Sequence, residues 1–565
     1  MVTQDAKIQE KVDDLLSRMA ALEEDRQPWE SVWQEISDFC LPRRSGFSWD
    51  ETTSDNLKPK SFDGTATGAL QLLADGLQGY LVSHSTAWFR LQTEETAAMK
   101  YSPVREYLEE MEKVFYHLLA RSNFYDAIGQ AFMDGASIGT CVLYIEPDQQ
   151  LDTVRFSPRH PKESFLAENR QGYVDTVYRR HQMTAREIVK AFKDIPEDFQ
   201  KEAEENPYEK HKVIHAVFPR EDRDVYKIDK LNKAFASLWI LEDDNWLLRE
   251  GGYDSFPYVV WRYRKNTDEV YGRSPAYDAL TDILRSQQIG KTMLEAAQLS
   301  VNPPLNVPQE MMGRVNLTPR GMNPYTDPQK QIFPMNLGGN YPIARDREQA
   351  IQQAIKEHFR VDFFLMLNQL AGQKMTATQV MEMQSEKAAV LGTIVGRINS
   401  ELLDPLFDRV FEIAGEQGWL PPVPPELQQM AGMELDIDYI GPLAQAQKRF
   451  HATQGIQQAL QQVVPLLEIF PEMRDHIDPD ELGRQILVKQ GMPEKIIRDG
   501  KVIQKIREAQ AQQAQMEQQA QIEQLGAENY QKMKDAPQGG SPAAEMLEQA
   551  KQQTMGHLLG GGGGQ

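Results

Sequence analysis

The sequence predicts an α+β protein, predominantly helical, in which a pair of long helices projects from a mixed domain. Three observations carry this. Between about Ser274 and Phe411, two helix-length apolar patterns of nearly equal length flank a proline-rich insert, and a glycine loop and a longer helix follow. From Gly139 to Arg264 the apolar period shifts toward two, the mark of strands. An insert of about 45 irregular residues is too long a loop for a compact core. The two matched helices therefore read as a stalk capped by a small lobe.

The elements follow in order. In the first forty residues Ile8, Val12, Leu15, Met19, Leu22, Trp29, Trp33 and Ile36 keep a heptad spacing, with Arg26 the polar exception and Pro28 expected to break or kink the helix. Such a helix packs either on its own domain or between subunits. Asp63 to Val82 is a second amphipathic helix with Leu70, Leu73, Leu77 and Leu81 on one face, and further helices are expected over Val104–Arg121 and Asn123–Gly135. Strand candidates are Thr140–Ile145, Val174–Arg180, Lys212–Phe218, Phe235–Leu241 and Tyr258–Tyr263. Glu242–Asn245 reads as a hairpin turn, and Thr184 with Glu187 opens a short helix.

In the stalk, Ser274 is placed as N-cap with Pro275 at the first helical position. Ala276, Leu280, Ile283, Gln287, Gly290, Leu294, Ala297 and Val301 then recur at a 4-3-4-3 spacing, a narrow seam rather than a core face. Pro303 and Pro304 stop this helix, and the prolines and glycines that follow exclude its continuation. The second helix begins near Asp346 and carries Ile351, Ile355, Phe359, Phe363, Met366 and Leu370 on one face. Each helix should be on the order of 35–40 Å long. Because both seams are thin for a monomer's core, Leu280, Ile283, Phe359 and Phe363 are expected between neighbouring subunits.

Ala371 to Met375 is a short break, and Thr376 with Gln379 is a capping box opening a helix to about Glu416, ended by Gly418 and kinked by Pro405 near Asp404. Four prolines between 421 and 425 mark a boundary. Met433 to Tyr439 alternates as a strand returning to the earlier sheet, and helices resume to about residue 533. The Gln- and Ala-rich stretch Glu508–Gln524 is either an oligomer-supported helix or a solvated one. The glycine-rich terminus is expected to be disordered.

A length of 565 residues allows two to four structural regions. The net charge of −22 argues against a phosphate-binding surface over the whole protein and leaves a local basic patch open. With only Cys40 and Cys141, a reducing compartment is expected, and the polar amino terminus reads as no signal peptide. No window holds 18 consecutive apolar residues, so no membrane span is expected and the chain reads as soluble. Gly290-Lys291-Thr292 lies inside a helix and lacks the first P-loop glycine, where Arg285 stands. His211 and His215 fall on a strand about 13 Å apart, too far for one zinc ion. No enzyme, cofactor or metal site is expected.

Trp88-Phe89, Tyr271 to Leu280 (YGRSPAYDAL), Asn302 to Leu305 (NPPL), Met375 to Lys387 (MTATQVMEMQSEK) and Leu402 to Phe411 (LLDPLFDRVF) fall in an order and spacing that resembles the portal proteins, or head-to-tail connectors, of short-tailed, podovirus-type bacteriophages. The resemblance implies a ring, typically of twelve subunits, at one capsid vertex, with double-stranded DNA passing through its centre. It implies a wing over 1–270, a first stem helix over 271–301, a clip over 302–345 and a second stem helix over 346–370. A tunnel loop over 371–376, a kinked helix over 377–418, a return to the wing over 419–441, a helical crown over 442–533 and a disordered tail over 534–565 complete it. Gln373, Lys374 and Met375 would meet DNA in the tunnel loop, with Lys374 otherwise a helix-capping or intersubunit lysine. Arg314, Arg320 and Tyr325 would dock the terminase motor and later the tail adaptor, or else hold neighbouring clips together. Capsid and scaffolding proteins are further implied partners, and the location is the virion, with assembly in the host cytoplasm. The alternative is a nonchannel structural or scaffolding virion protein that uses the helices only for assembly.

Overall fold

The computed structural model describes residues 6–41, 47, 61–93, 101–370 (except 225, 228, 319, 326, 329–330 and 336–340), 392–424, 435–442 and scattered positions from 503 to 516. All but the last group belong to one compact unit, Met1–Gly455. The expected tunnel loop, the capping box at Thr376 and most of the crown and tail lie outside the described residues.

Helix α1 (Ala6–Cys40) runs on through Pro28, where the sequence predicts a break or kink. Contacts on both sides of the proline hold it in one piece. Arg26, the polar exception in the heptad, is buried and donates to the carbonyls of Pro161, Lys162 and Ser164 at 3.2, 2.8 and 3.1 Å. Its guanidinium also pairs with Glu30 at 2.6 Å and lies 3.6 Å from the centre of the Phe165 ring. Beyond the proline, Trp29 and Trp33 pack on Tyr271. Tertiary packing outweighs the single hydrogen bond that Pro28 forfeits.

Helix α2 (Thr65–Leu81) buries Leu70, Leu73, Leu77 and Leu81 as its pattern predicts. Strand β1 (Phe89–Thr93) and helices α3 (Ser102–Arg121) and α4 (Phe124–Ser137) lead into an antiparallel three-stranded sheet. Its order is β3 (Thr153–Arg159), β2 (Thr140–Asp148), β9 (Tyr258–Arg262). Against it lies an antiparallel meander of β4 (Ser164–Glu168), β5 (Val174–Thr184), β6 (Lys210–Pro219), β7 (Phe235–Leu241) and β8 (Trp246–Tyr253). All five predicted strands are present, and β7 has the predicted bounds. Thr184 and Glu187 form the capping box of α5 (Ala185–Ala191). Helix α6 (Glu197–Glu205), which the sequence reading passes over, lays Phe199 and Ala203 on the meander together with Ile188 and Phe192 of the α5 region.

The described part of the helix predicted to kink at Pro405 comprises α10 (Gly392–Ile398), a π-helical turn (Asn399–Leu403) and α11 (Asp404–Glu416). The wide turn sits just before Pro405, whose ring would otherwise press on the carbonyl four residues earlier. Gly418, at φ +70°, terminates it in a conformation that favours glycine. Strand β12 (Leu435–Tyr439) does not join the larger sheets, to which the sequence predicts its return; it pairs antiparallel with β1 in a separate two-stranded sheet. The Tyr439 hydroxyl donates to Asp404 at 2.6 Å, tying that strand to the start of α11. In the core, Trp88 and Phe89 meet Phe407 at ring-centroid distances of 5.6 and 4.6 Å, so two of the sequence strings that carry the resemblance pack on each other.

One buried charge joins these layers. Arg262, at the end of β9, donates to Glu401 of the π turn at 3.2 and 2.9 Å, to Glu168 of β4, and to the Gly172 carbonyl at 2.9 Å. Lys265 also reaches Glu168, and Arg397 reaches Glu401. Both cysteines are buried free thiols, pushed up to about 12 by burial. Among the described residues no helix is long and apolar enough to cross a membrane.

His215 is sealed between the sheets, its ring nitrogens 3.0 Å from the hydroxyls of Tyr258 and Ser237. Burial, helped by Arg179, holds it well below the ordinary histidine range, and the same causes pull His181 down to about 3. Below pH 6.5 the unfolded chain therefore takes up two protons that the folded chain refuses, and stability falls as pH falls. By pH 5 the loss from His181 should be about 2 kcal/mol, and His215 adds to it in the same direction. Urea unfolding at pH 7, 6 and 5 should show this, and His215→Gln should flatten the dependence. A flat wild-type profile over that window would show that the folded histidines accept protons.

Candidate functional site

Helix α7 (Pro275–Val301) is built as its sequence predicts. The Ser274 hydroxyl accepts from the Tyr277 amide at 3.0 Å and donates to the Ser137 carbonyl, so one side chain caps the helix and fixes its root. An antiparallel bridge between Arg264 and Arg273 closes the loop that enters it. Ala276, Ala279, Ile283, Ser286 and Gln287 are buried along the first four turns.

Gln287 and Gly290, which occupy the predicted seam, do not face a neighbouring helix. The Gln287 Oε1 accepts from the amides of Phe62 and Asp63 at 2.6 and 3.0 Å, and its Nε2 donates to the Asp63 carbonyl at 2.8 Å. Ser286 donates to the Asp63 carboxylate, and Gly290 lies beside Phe62. A chain segment entering α2 is thereby stapled across the helix. Beyond Gly290 the character changes. Leu294, Leu299 and Val301 are exposed, Val301 at 87%, and the last three turns project.

The returning helix differs from its predicted form. Helix α8 (Tyr341–His358) starts five residues earlier than expected, with Pro342 in its first turn, a position proline favours. It stops at Phe359 and restarts as α9 (Val361–Leu370). Arg360 between them has φ +56°, an uncommon left-handed conformation for a side chain of this size. Burial of Phe359, Val361, Phe363 and Phe364 around it imposes the turn. Phe364 seats on α2 at Gly76, where a Cβ would lie 2.4 Å from the ring.

These contacts correct part of the interface expectation. Ile283, Phe359 and Phe363 are buried inside the protomer, and Leu280 is half-buried against the same core. The thin seam is supplemented by α2 and by the 61–63 segment, which completes a core that two helices alone could not. On the same stripe of α7, Leu294 and Val301 remain exposed, with Leu299 beside them.

The lobe between the helices begins with a two-residue ladder, β10 (Leu305–Asn306) against β11 (Phe333–Pro334). Within it Asn316 and Asn323 clamp a loop, the Asn316 amide donating to the Asn323 side chain at 2.7 Å and that side chain returning a bond at 2.8 Å to the Asn316 carbonyl. Arg320 sits in this loop at φ +65°, and Arg314, Arg320 and Tyr325 are all exposed. The lobe also exposes Met312 at 79% and Met322 at 88%, with Leu317, Phe333 and Met335. The sequence reading missed this apolar set, although unpartnered methionines within a proline-rich insert are its signal. Gln373, Lys374 and Met375 fall outside the described residues.

The family pattern described as bacteriophage head to tail connecting protein matches residues 12–497. The chain is 31% identical over 535 residues to a probable portal protein of Bordetella phage BPP-1, spanning 92% of this chain and 94% of that one. It is 32% identical over 544 residues to the portal protein of Salmonella phage epsilon15, spanning 94% and 96%. The portal protein of Escherichia phage T7 is 22% identical over 442 residues, spanning 72% and 75%.

The left-handed turn at Arg360 predicts an asymmetry between two small substitutions. Arg360→Gly removes the steric conflict, whereas Arg360→Ala keeps it, so the glycine variant should be the more stable by about 1 kcal/mol. Paired urea denaturation curves measure the difference. Equal midpoints would mean that the turn is not held in this conformation in solution.

Proposed function

Because this chain belongs to the bacteriophage head-to-tail connecting protein family and serves as a head–tail connector, we propose that it closes subunit against subunit into a ring at the capsid vertex. Double-stranded DNA enters and leaves through the centre. The observation that supports closure is the projecting half of α7 together with the lobe, whose apolar side chains stay exposed among the described residues. Heterologous contacts that close on themselves bury such surface on every copy, twelve copies being the number that the family resemblance suggests. The chain's net charge of −22 suits a conduit, since few fixed cations would hold the sliding phosphates.

In this reading Lys374, with Gln373 and Met375 beside it, meets the DNA backbone from the loop between α9 and the kinked helix. Each such exposed contact is worth about 1 kcal/mol or less and is screened by salt, which suits passage better than clamping. Arg314, Arg320 and Tyr325 dock the packaging motor and then the tail adaptor. A nonchannel scaffolding role would need neither a hole nor these contacts.

Sedimentation and negative-stain images test closure. The wild-type chain should form closed rings at micromolar concentration, and Leu299→Asp with Val301→Asp should leave folded, smaller species. A well-folded wild-type monomer as the sole species would overturn the reading. Packaging assays test the sites. Deleting residues 315–328 should keep rings but abolish packaging, and lost rings would instead assign the lobe to subunit contacts. Lys374→Glu should alter DNA retention more than Lys374→Ala; wild-type retention by both, across a range of salt, would remove the loop from the DNA path.

A further inference from the structure

The connector function makes no use of the imidazole of His211. It is the second residue of β6 and is only 8% exposed, and its Nε2 is buried with no hydrogen-bond partner among the described residues. Its ring meets Phe199 of α6 edge-on at 4.8 Å, which fixes the imidazole plane. A buried imidazole nitrogen left without a partner is unfavourable, so an occupant that satisfies it is favoured. His215, four residues on, is committed to Tyr258 and Ser237 and takes no part.

Two carboxylates converge on this imidazole from different segments. Glu202 comes from α6 and Glu209 from the turn before β6, and one oxygen of each lies with a ring nitrogen of His211 in a set whose members are all within 4.8 Å of one another. Donors around a tetrahedral ion stand about 3.5 Å apart, so a small inward adjustment of two exposed glutamates supplies three corners of such a shell and leaves the fourth to water. The turn is pre-shaped for this. The Glu209 amide donates to the Asn206 carbonyl at 3.1 Å, and the Glu209 carbonyl accepts from Ala185 at 2.9 Å. Asp244, in the β7–β8 turn, lies within electrostatic reach of His211. Burial and Asp243 raise it, against a pull from His211.

We propose that His211, Glu202 and Glu209 bind a divalent first-row transition cation of the zinc class. Imidazole with carboxylate donors suits zinc, whereas magnesium and calcium take oxygen ligands. The ion staples α6 and the turn that follows it to the edge of β6. The small apolar cluster of Ile188, Phe192, Phe199 and Ala203 lies beneath that staple. An ion bound only by the folded state stabilises it by mass action, so the site acts as a rivet on the rim of the wing.

Zinc titration of metal-stripped, full-length protein tests the assignment by calorimetry or by competition with a fluorescent chelator. One zinc per protomer should bind with a dissociation constant on the order of micromolar, and thermal unfolding should shift upward with zinc but not with equal magnesium. Glu202→Gln with Glu209→Gln changes only exposed side chains and should weaken that zinc by about 100-fold or more. His211→Gln should do the same, and His215→Gln should retain the site. Unchanged stoichiometry in the double glutamine variant, or no wild-type binding at 100-fold above the expected constant, would overturn the proposal.

Discussion

The Arg262 guanidinium is the point from which the rest of the architecture is fixed. A cation that is almost wholly removed from water must be paired, and breaking a buried pair typically costs about 3–5 kcal/mol because the remaining charge is stranded. Its partners come from the end of β4, the β4–β5 turn and the π turn of the long helix. Beyond Arg262, the Arg264–Arg273 bridge and the Ser274 cap deliver the chain into α7. The sheet, the kinked helix and the root of the projecting helix therefore share one electrostatic anchor. A rotation of any one of them relative to the others would pull Glu401 or Glu168 away from the buried Arg262 charge.

Much of this was legible in the sequence because local signals and tertiary packing agree. Ser274-Pro275, the Thr184–Glu187 capping box and the alternating strand Phe235–Leu241 each specify their element within a few residues, and each is found. The readings that failed did so where distant residues decide. Pro28 leaves its helix intact because Arg26 and Trp33 are held by partners more than a hundred residues away. The break at Arg360 has no glycine to announce it; the surrounding phenylalanines impose it. The seam of α7 looked too thin for a core because the missing cover, residues 61–63, is an irregular segment without periodicity.

The candidate site was readable to a different degree. The exposure of Arg314, Arg320 and Tyr325 follows from their place in a proline-rich insert that cannot build a core of its own. The interface residues did not follow, because apolar spacing gives the face of a helix but not the identity of what covers it. Ile283 and Leu294 lie on the same stripe, yet one is sealed in the protomer and the other faces outward. The dividing line is Gly290, where the docked segment ends.

That dividing line bears on how the connector is made as well as on what it looks like. Root and tip of α7 have opposite relations to solvent: the root is finished when one chain folds, and in the proposed ring the tip is finished only when a neighbour arrives. In the proposed ring, an assembly lacking a single subunit would leave two unlike apolar faces open at the gap. The free energy of adding the last copy, which covers both at once, exceeds that of every earlier addition. Growth of this kind is self-sorting. Partial arcs are the species prone to stray association, closed rings are the sink, and the balance between them is set by how fast protomers are supplied.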